Sequence, residues 1–192
     1  KMLVASPSGL QLILEDVNSG KFIIQKSFEL GGHEPRKIFK TRSGQEIYVI
    51  DANFELWKST DLQSPQLMTG MNSHVRCLEE VNGEIWVGTD DGIFVIKNDK
   101  PTEQFTSELG LGGNKVNGIY YSKVKNETWI TVLGGPAILY KEGRFKRFGP
   151  ELGLTSNVVQ DAAFDRNGNP WFATYDDGVF YFENDQFINL RE

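Results

Sequence analysis

Apolar and polar positions alternate along most of the chain in short runs, each closed by Gly, Asn or Asp. A period of two puts every second side chain on one face of an extended strand. Residues 36–41, 75–81, 116–122 and 159–165 read as such strands. Each is followed by a turn, at Ser43-Gly44, Asn82-Gly83, Lys125-Asn126 and Asn167-Gly168. Asn-Gly between apolar runs predicts a tight hairpin, because both residues tolerate positive φ. A second strand then carries a central ring, Tyr48, Trp86, Trp129 or Trp171. A third strand is predicted at 54–58, 93–97, 137–141 and 179–183, and a shorter fourth at 66–69, 104–106, 144–148 and 186–190. No apolar spacing of 3.6 residues is sustained, so helix content should be close to nil.

These parts recur. The tryptophans are spaced by 43 and 42 residues, and Tyr48 stands 38 residues before Trp86. Leu3 occupies the same place 45 residues before Tyr48, which makes five copies with the first incomplete. Four strands in roughly 40–45 residues is the size of one β-propeller blade. A lone four-stranded meander exposes two apolar faces and cannot bury them, whereas stacked blades bury both. The fold class predicted is therefore all-β, a propeller of four-stranded antiparallel blades, four of them plus a partial fifth. One segment, 1–192, holds blades at about 1–29 (partial), 34–69, 74–107, 115–149 and 158–190. Tyr48, Trp86, Trp129 and Trp171 are expected in the core, filling the gaps between blades.

The connectors repeat as well. Leu109-Gly110-Leu111-Gly112-Gly113-Asn114 matches Leu152-Gly153-Leu154-Thr155-Ser156-Asn157 at a spacing of 43. Asn114 and Asn157 are expected to fold back onto connector backbone. His33 and His74 fall in or near the Asn place.

Composition agrees with this reading. Gly (20 residues) supplies turns, and the 12% aromatic content suits pleated surfaces. A net charge of −6 argues against a nucleic-acid partner, which needs clustered Lys and Arg. One cysteine, Cys77, argues against an internal disulfide or a zinc site. It reads as a small residue within a strand rather than a nucleophile. No apolar run reaches the roughly 18 residues of a membrane helix. The start at Lys1, inside an apolar run, suggests a segment of something longer.

The stretch Gly153-Leu154-Thr155-Ser156-Asn157-Val158-Val159, followed by Asp165-Arg166-Asn167-Gly168-Asn169-Pro170-Trp171-Phe172-Ala173-Thr174 and Asp177-Gly178-Val179-Phe180, resembles the two-component regulator propeller repeat. The match is good over about residues 70–190 and looser over 1–69. The resemblance implies a periplasmic or other extracytoplasmic sensor region of a hybrid two-component sensor histidine kinase, anchored to the membrane through its parent. It implies a small ligand such as an oligosaccharide as partner, and no enzyme chemistry in this segment. Family members carry more repeats, a further β-domain, a membrane helix and kinase domains, which do not stand in this sequence.

Propeller ligands usually sit at the channel mouth, near the connectors and the turns after the second strand. Arg36, Arg76, Asn117 and Gln160 are polar residues in otherwise apolar inner strands. They read either as a ring of hydrogen-bonding groups for a hydroxyl-rich or anionic ligand, or as partners for backbone and neighbouring acids. His74 joins them from its connector. The following turns hold Asp51, Asn53, Asp90, Asp91, Tyr175, Asp176 and Asp177, which fit either sugar recognition, with Tyr175 as a stacking platform, or ordinary turn chemistry. His33 and His74 show no zinc spacing, and Asp165 to Asn169 lacks the later Glu of a calcium loop. No cofactor or metal is expected. A propeller lyase, lactonase or glycosidase remains an alternative, with Asp161 the nearby carboxylate. A structural interaction propeller is another. Unpaired edges would make the chain associate with itself or pack against further blades.

Overall fold

The computed structural model describes residues 2–6, 9–15, 21–60, 64–156 and 158–191. They form two compact units, Lys1–Val75 and Arg76–Glu192.

The first unit carries two sheets. One is three-stranded, β1 (Met2–Ser6), β2 (Gly9–Glu15) and β3 (Phe22–Phe28), in sequence order. Among the described residues this sheet has three strands where each later sheet has four. The next is a four-stranded meander of β4 (Pro35–Lys40), β5 (Ile47–Asp51), β6 (Leu56–Ser59) and β7 (Gln66–Leu67). Leu10, Leu30, Ile47 and Val49 form the core of this unit.

The second unit contains three meanders. The third sheet is β8 (Val75–Val81), which begins on the last residue of the first unit, with β9 (Glu84–Thr89), β10 (Gly92–Lys97) and β11 (Lys100–Phe105). The fourth is β12 (Val116–Ser122), β13 (Glu127–Val132), β14 (Ala137–Lys141) and β15 (Arg144–Phe148). The fifth is β16 (Val159–Phe164), β17 (Pro170–Thr174), β18 (Val179–Glu183) and β19 (Gln186–Asn189). Every pair is antiparallel with its sequence neighbour, as short turns require.

Local chemistry sets the turns. Asn82 and Gly83 both take positive φ, 51° and 84°, which matches the right-handed twist of the strands they join. The two connectors of the second unit contain single 3-10 turns, Ser107–Leu109 and Pro150–Leu152, each closed by a left-handed glycine. They are the only helical elements among the described residues. Asn114 Oδ1 accepts a hydrogen bond from the Ser107 backbone N–H at 2.7 Å, which ties the connector back on itself. Asn157 lies outside the described residues.

Packing between the sheets explains the repeated rings. Trp86 meets Tyr140 of the fourth sheet edge-on, 5.0 Å between ring centres. Trp129 meets Phe182 of the fifth sheet in the same way at 4.8 Å. Tyr140 and Phe182 hold the same place in successive third strands. Gly88 is required at the first of these interfaces. A Cβ there would stand 2.5 Å from Cys77 Sγ and 2.7 Å from Val116 Cγ1. Cys77 is half-buried against this core, in keeping with a packing role.

Trp171 departs from the expectation. Tyr48, Trp86 and Trp129 are buried, but Trp171 is 37% exposed. It stands on the last sheet of the chain, and its ring partner is Tyr181 of the same sheet, at 5.3 Å.

Candidate functional site

The hairpin turns between first and second strands are held by bonds between neighbouring sheets. Asn82 Nδ2 donates to Asn126 Oδ1 at 3.1 Å, and Lys125 Nζ donates to Asn169 Oδ1 at 2.6 Å. Asp165 belongs to this end. Its Oδ1 accepts from the backbone of Asn167 and Asn169, both at 2.8 Å, so the stretch is a closed turn. Hydrogen bonds from Asn169 lead the effects that hold its carboxyl below its ordinary value.

The opposite ends of the strands carry the candidate ligand residues. Pairing of inner and second strands slips by one residue between Pro35 and Lys37, between Val116 and Gly118, and between Val159 and Asp161. Arg36, Asn117 and Gln160 are therefore the extra residues of β-bulges. A bulge removes a residue from the inward and outward alternation and re-aims its side chain. This accounts for a polar residue in an apolar strand.

Two of the four have partners inside the second unit. Asn117 Nδ2 donates to the Val159 carbonyl at 2.7 Å. Arg76 Nε is paired with the Asp90 carboxylate. Gln160 is exposed. In the fifth sheet, Tyr175 is 78% exposed, while its backbone N–H donates to the Val158 carbonyl at 3.0 Å. Asp176 accepts from Ser156 Oγ at 2.6 Å. Asp177 pairs with Arg191 at 2.8 Å and accepts from Thr155 Oγ1. A shallow apolar depression of about 150 Å³ lies beside Asp161, Trp171 and Val179. It is smaller than the roughly 300–1,000 Å³ of a ligand pocket.

The first unit brings more of these residues together. Phe54 sits in the left-handed region at φ 62°, in the turn after β5. The Arg36 guanidinium lies 4.8 Å from the centre of its ring, and the His74 ring lies 5.3 Å from it. Two predicted ligand residues, one from the bulge in β4 and one from a connector, thus meet around one aromatic side chain.

Asp51 anchors the same turn. Its carboxylate is fully buried. Oδ1 accepts from the backbone N–H of Asn53 and of Glu55, both at 2.9 Å. Oδ2 accepts from Trp57 Nε1 at 3.0 Å and stands 2.7 Å from His33 Nδ1. Burial alone would raise the Asp51 carboxyl. The hydrogen bonds from Trp57, the Glu55 backbone, His33 and the Asn53 backbone outweigh it and hold the group below its ordinary value. Glu55 Oε2 stands 3.3 Å from the same His33 nitrogen.

The sequence reading named His33 only as a connector histidine without zinc spacing, and missed Glu55 and Trp57. Aligning the copies supplies a signal for them. In the third and fifth sheets the place of Asp51 is taken by Thr89 and Thr174. The Thr89 hydroxyl donates to the Gly92 carbonyl at 3.0 Å, and the Thr174 hydroxyl to the Gly178 carbonyl at 2.8 Å. A hydroxyl is enough to close that turn. The second sheet instead places a carboxylate, a second carboxylate and an imidazole around it.

Comparison with known proteins bears on the architecture. No family model matches the chain, and no curated protein matches it. Solved structures do. The extracellular domain of BT3049 from B. thetaiotaomicron, assigned as a hybrid two component system, is 21% identical with a TM-score of 0.78. The alignment covers 98% of this chain and 26% of that one. The extracellular domain of BT4673 from the same organism, assigned as a one component system, gives a TM-score of 0.72 at 14% identity, over 98% of this chain and 29% of the other. The WD40 β-propeller domain of Doa1 gives 0.71 at 13% identity, over 98% and 63%. The chain thus spans only a quarter to a third of the two extracellular domains that it resembles. Its five successive antiparallel sheets have the β-propeller fold.

Proposed function

We propose that this chain is a ligand-sensing β-propeller segment of an extracytoplasmic receptor in a two-component system, with a histidine kinase elsewhere in the parent protein. The observation that most supports this is the likeness to the extracellular domain of BT3049 over 98% of the chain. The repeated connectors, which resemble the regulator propeller pattern, agree with it. Among the described residues no helix is long and apolar enough to cross a membrane, so in this reading the anchor belongs to the parent.

The ligand in this reading is small and rich in hydroxyl or anionic groups, such as an oligosaccharide. Arg36 and His74 pack against the Phe54 ring, the guanidinium over its face, and their polar ends would offer donors to hydroxyl or anionic groups. Binding would favour one receptor arrangement over another and so set the kinase. Titrating the purified chain with a panel of neutral and charged oligosaccharides tests the reading. Saturable binding weakened at least tenfold by Arg36→Ala supports it. No binding across the whole panel overturns the sugar version.

A catalytic reading has one observation in its favour. The structure of streptogramin B lyase matches with a TM-score of 0.69 at 15% identity, over 99% of this chain and 68% of that one. Asp161 is the carboxylate such chemistry would use, and Asp161→Asn tests it in any activity found. Self-association is a further proposal, carried by the exposed Trp171 and Val179 on the fifth sheet. Light scattering that shows a monomer at high concentration overturns it.

A further inference from the structure

The His33 imidazole is crowded by more polar atoms than it can serve. Its Nδ1 faces Asp51 Oδ2 at 2.7 Å, Glu55 Oε2 at 3.3 Å and the Asn53 side-chain amide nitrogen at 3.4 Å. An imidazole nitrogen carries at most one hydrogen, along one direction. One proton cannot satisfy two carboxylates at once. The Asn53 Nδ2 is itself a donor, and a protonated Nδ1 offers it nothing. Turning that amide by half a revolution would put a third oxygen beside the same nitrogen.

A cation in place of the proton resolves this crowding. We propose that His33 Nδ1, Asp51 Oδ2 and Glu55 Oε2 bind a divalent transition-metal ion of the zinc type. The three ligand atoms all lie within 4.8 Å of one another. Around an ion with bonds of about 2.0–2.2 Å, neighbouring ligand atoms stand about 3–3.5 Å apart. The Glu55–His33 contact already has that spacing, and the Asp51–His33 contact needs to open by about half an ångström. The two carboxylate oxygens, up to 4.8 Å apart, need to close, which the half-exposed Glu55 side chain can do by rotation. One imidazole with carboxylates is a donor set that zinc accepts readily and that calcium, which favours oxygen alone, does not.

The surroundings support ligand duty. Trp57 Nε1 donates to the same Asp51 oxygen, and two backbone N–H groups hold the other, so the carboxylate is fixed before any ion arrives. The His33 ring leans on Trp57, with 5.0 Å between ring centres. His33 is 30% exposed and Glu55 42%, so an ion has a path from solvent. The equivalent turns in the third and fifth sheets close with a threonine hydroxyl alone, so a turn of this kind does not require the His33 and Glu55 side chains. The site stands independently of the sensor reading.

The test uses the untagged chain, stripped of metal and titrated with Zn(II) by calorimetry, with Co(II) as a spectroscopic probe. One equivalent of Zn(II) is expected, with Co(II) giving visible bands typical of nitrogen and oxygen ligands. Glu55→Gln and His33→Ala should each weaken Zn(II) binding at least tenfold. Glu55→Gln alters a half-exposed side chain, so a folded variant is available. His74→Ala should leave binding unchanged, and calcium should not compete. Absence of stoichiometric Zn(II) binding, or binding untouched by Glu55→Gln and His33→Ala, would overturn the proposal. So would equal loss in His74→Ala.

Discussion

Trp129 and Trp171 are the same residue at the same place in consecutive repeats, and they live in different environments. Trp129 is completely buried among Phe148, Phe172, Phe182 and Phe187, which come from its own sheet and the next. Trp171 has one ring neighbour and keeps 37% of its surface exposed. The strand around each is antiparallel and similarly paired, Trp129 opposite Leu139 and Trp171 opposite Tyr181. What separates them is the cover that Phe172, Phe182 and Phe187 of the fifth sheet give Trp129. In a stacked repeat, a residue's contribution to stability depends on whether a neighbour covers it.

The largest expected effect tests this directly. Trp129→Ala should cost about 3–5 kcal/mol, as large-to-small changes in a packed core do. Trp171→Ala should cost less, about 1–3 kcal/mol, because more than a third of its surface stays in water and no core closes over it. Denaturant titration of both variants measures the difference, and equal losses would break the comparison.

The next contrast lies two residues after the tryptophan of the second strand. Gly88 sits against the fourth sheet, whereas the corresponding residue of the fifth sheet is Ala173, which is exposed. Gly88→Ala should destabilise by about 1–3 kcal/mol through overpacking onto Cys77 and Val116. Ala173→Gly should cost about 0.5–1 kcal/mol, from backbone entropy alone. A Gly88→Ala variant as stable as the parent would show that the interface yields more easily than its packing implies.

Charge sharpens the comparison further. Burial, reinforced by the nearby Asp161 carboxylate, pushes the Tyr120 phenol well above its ordinary value. Its folded value is raised, so its contribution is complete below the unfolded value near pH 10 and declines as pH rises beyond it. Stability should fall on the alkaline side, and Tyr120→Phe should flatten that limb. On the open face, Tyr181 is raised chiefly by its hydrogen bond with Glu183. Tyr181→Phe should change the alkaline limb much less. Thermal melts from pH 8 to 11 distinguish the two, and equal flattening would remove the contrast.

The smallest effect belongs to the exposed hairpin that starts the fifth sheet's second strand. Asp165 is held low by its bonds to Asn169 and Asn167, so its contribution is present above the unfolded carboxyl value and lost as pH falls through the folded one. Asp165→Ala should lower the melting temperature slightly at pH 7 and leave it unchanged near pH 2. A drop that persists in acid would mean the loss is not electrostatic.

The strands and hairpins were readable from sequence because they depend on local chemistry. Alternation gave β8, β12 and β16 to within a residue or two, and Asn82-Gly83 marked its own turn. The bulges were not readable, although their outcome was visible as Arg36, Asn117 and Gln160 among apolar neighbours. A bulge is a register relation between two strands, and a single strand does not display it. Asp51 stood among the turn candidates and His33 among the connector residues, but their grouping with Glu55 stayed hidden for a similar reason. They are 18 and 4 residues apart in the chain, and only the pairing of β4 with β5 brings the connector onto the turn.

By itself, then, the sequence determined the repeat, the order of strands within each sheet and the turn chemistry, because these rest on period, propensity and φ. Tertiary structure decided which tryptophan is buried, which glycine is indispensable and which polar residues share a site. Burial and proximity are relations between sheets or between strands. Five similar copies therefore end in five different environments, set by what each one meets.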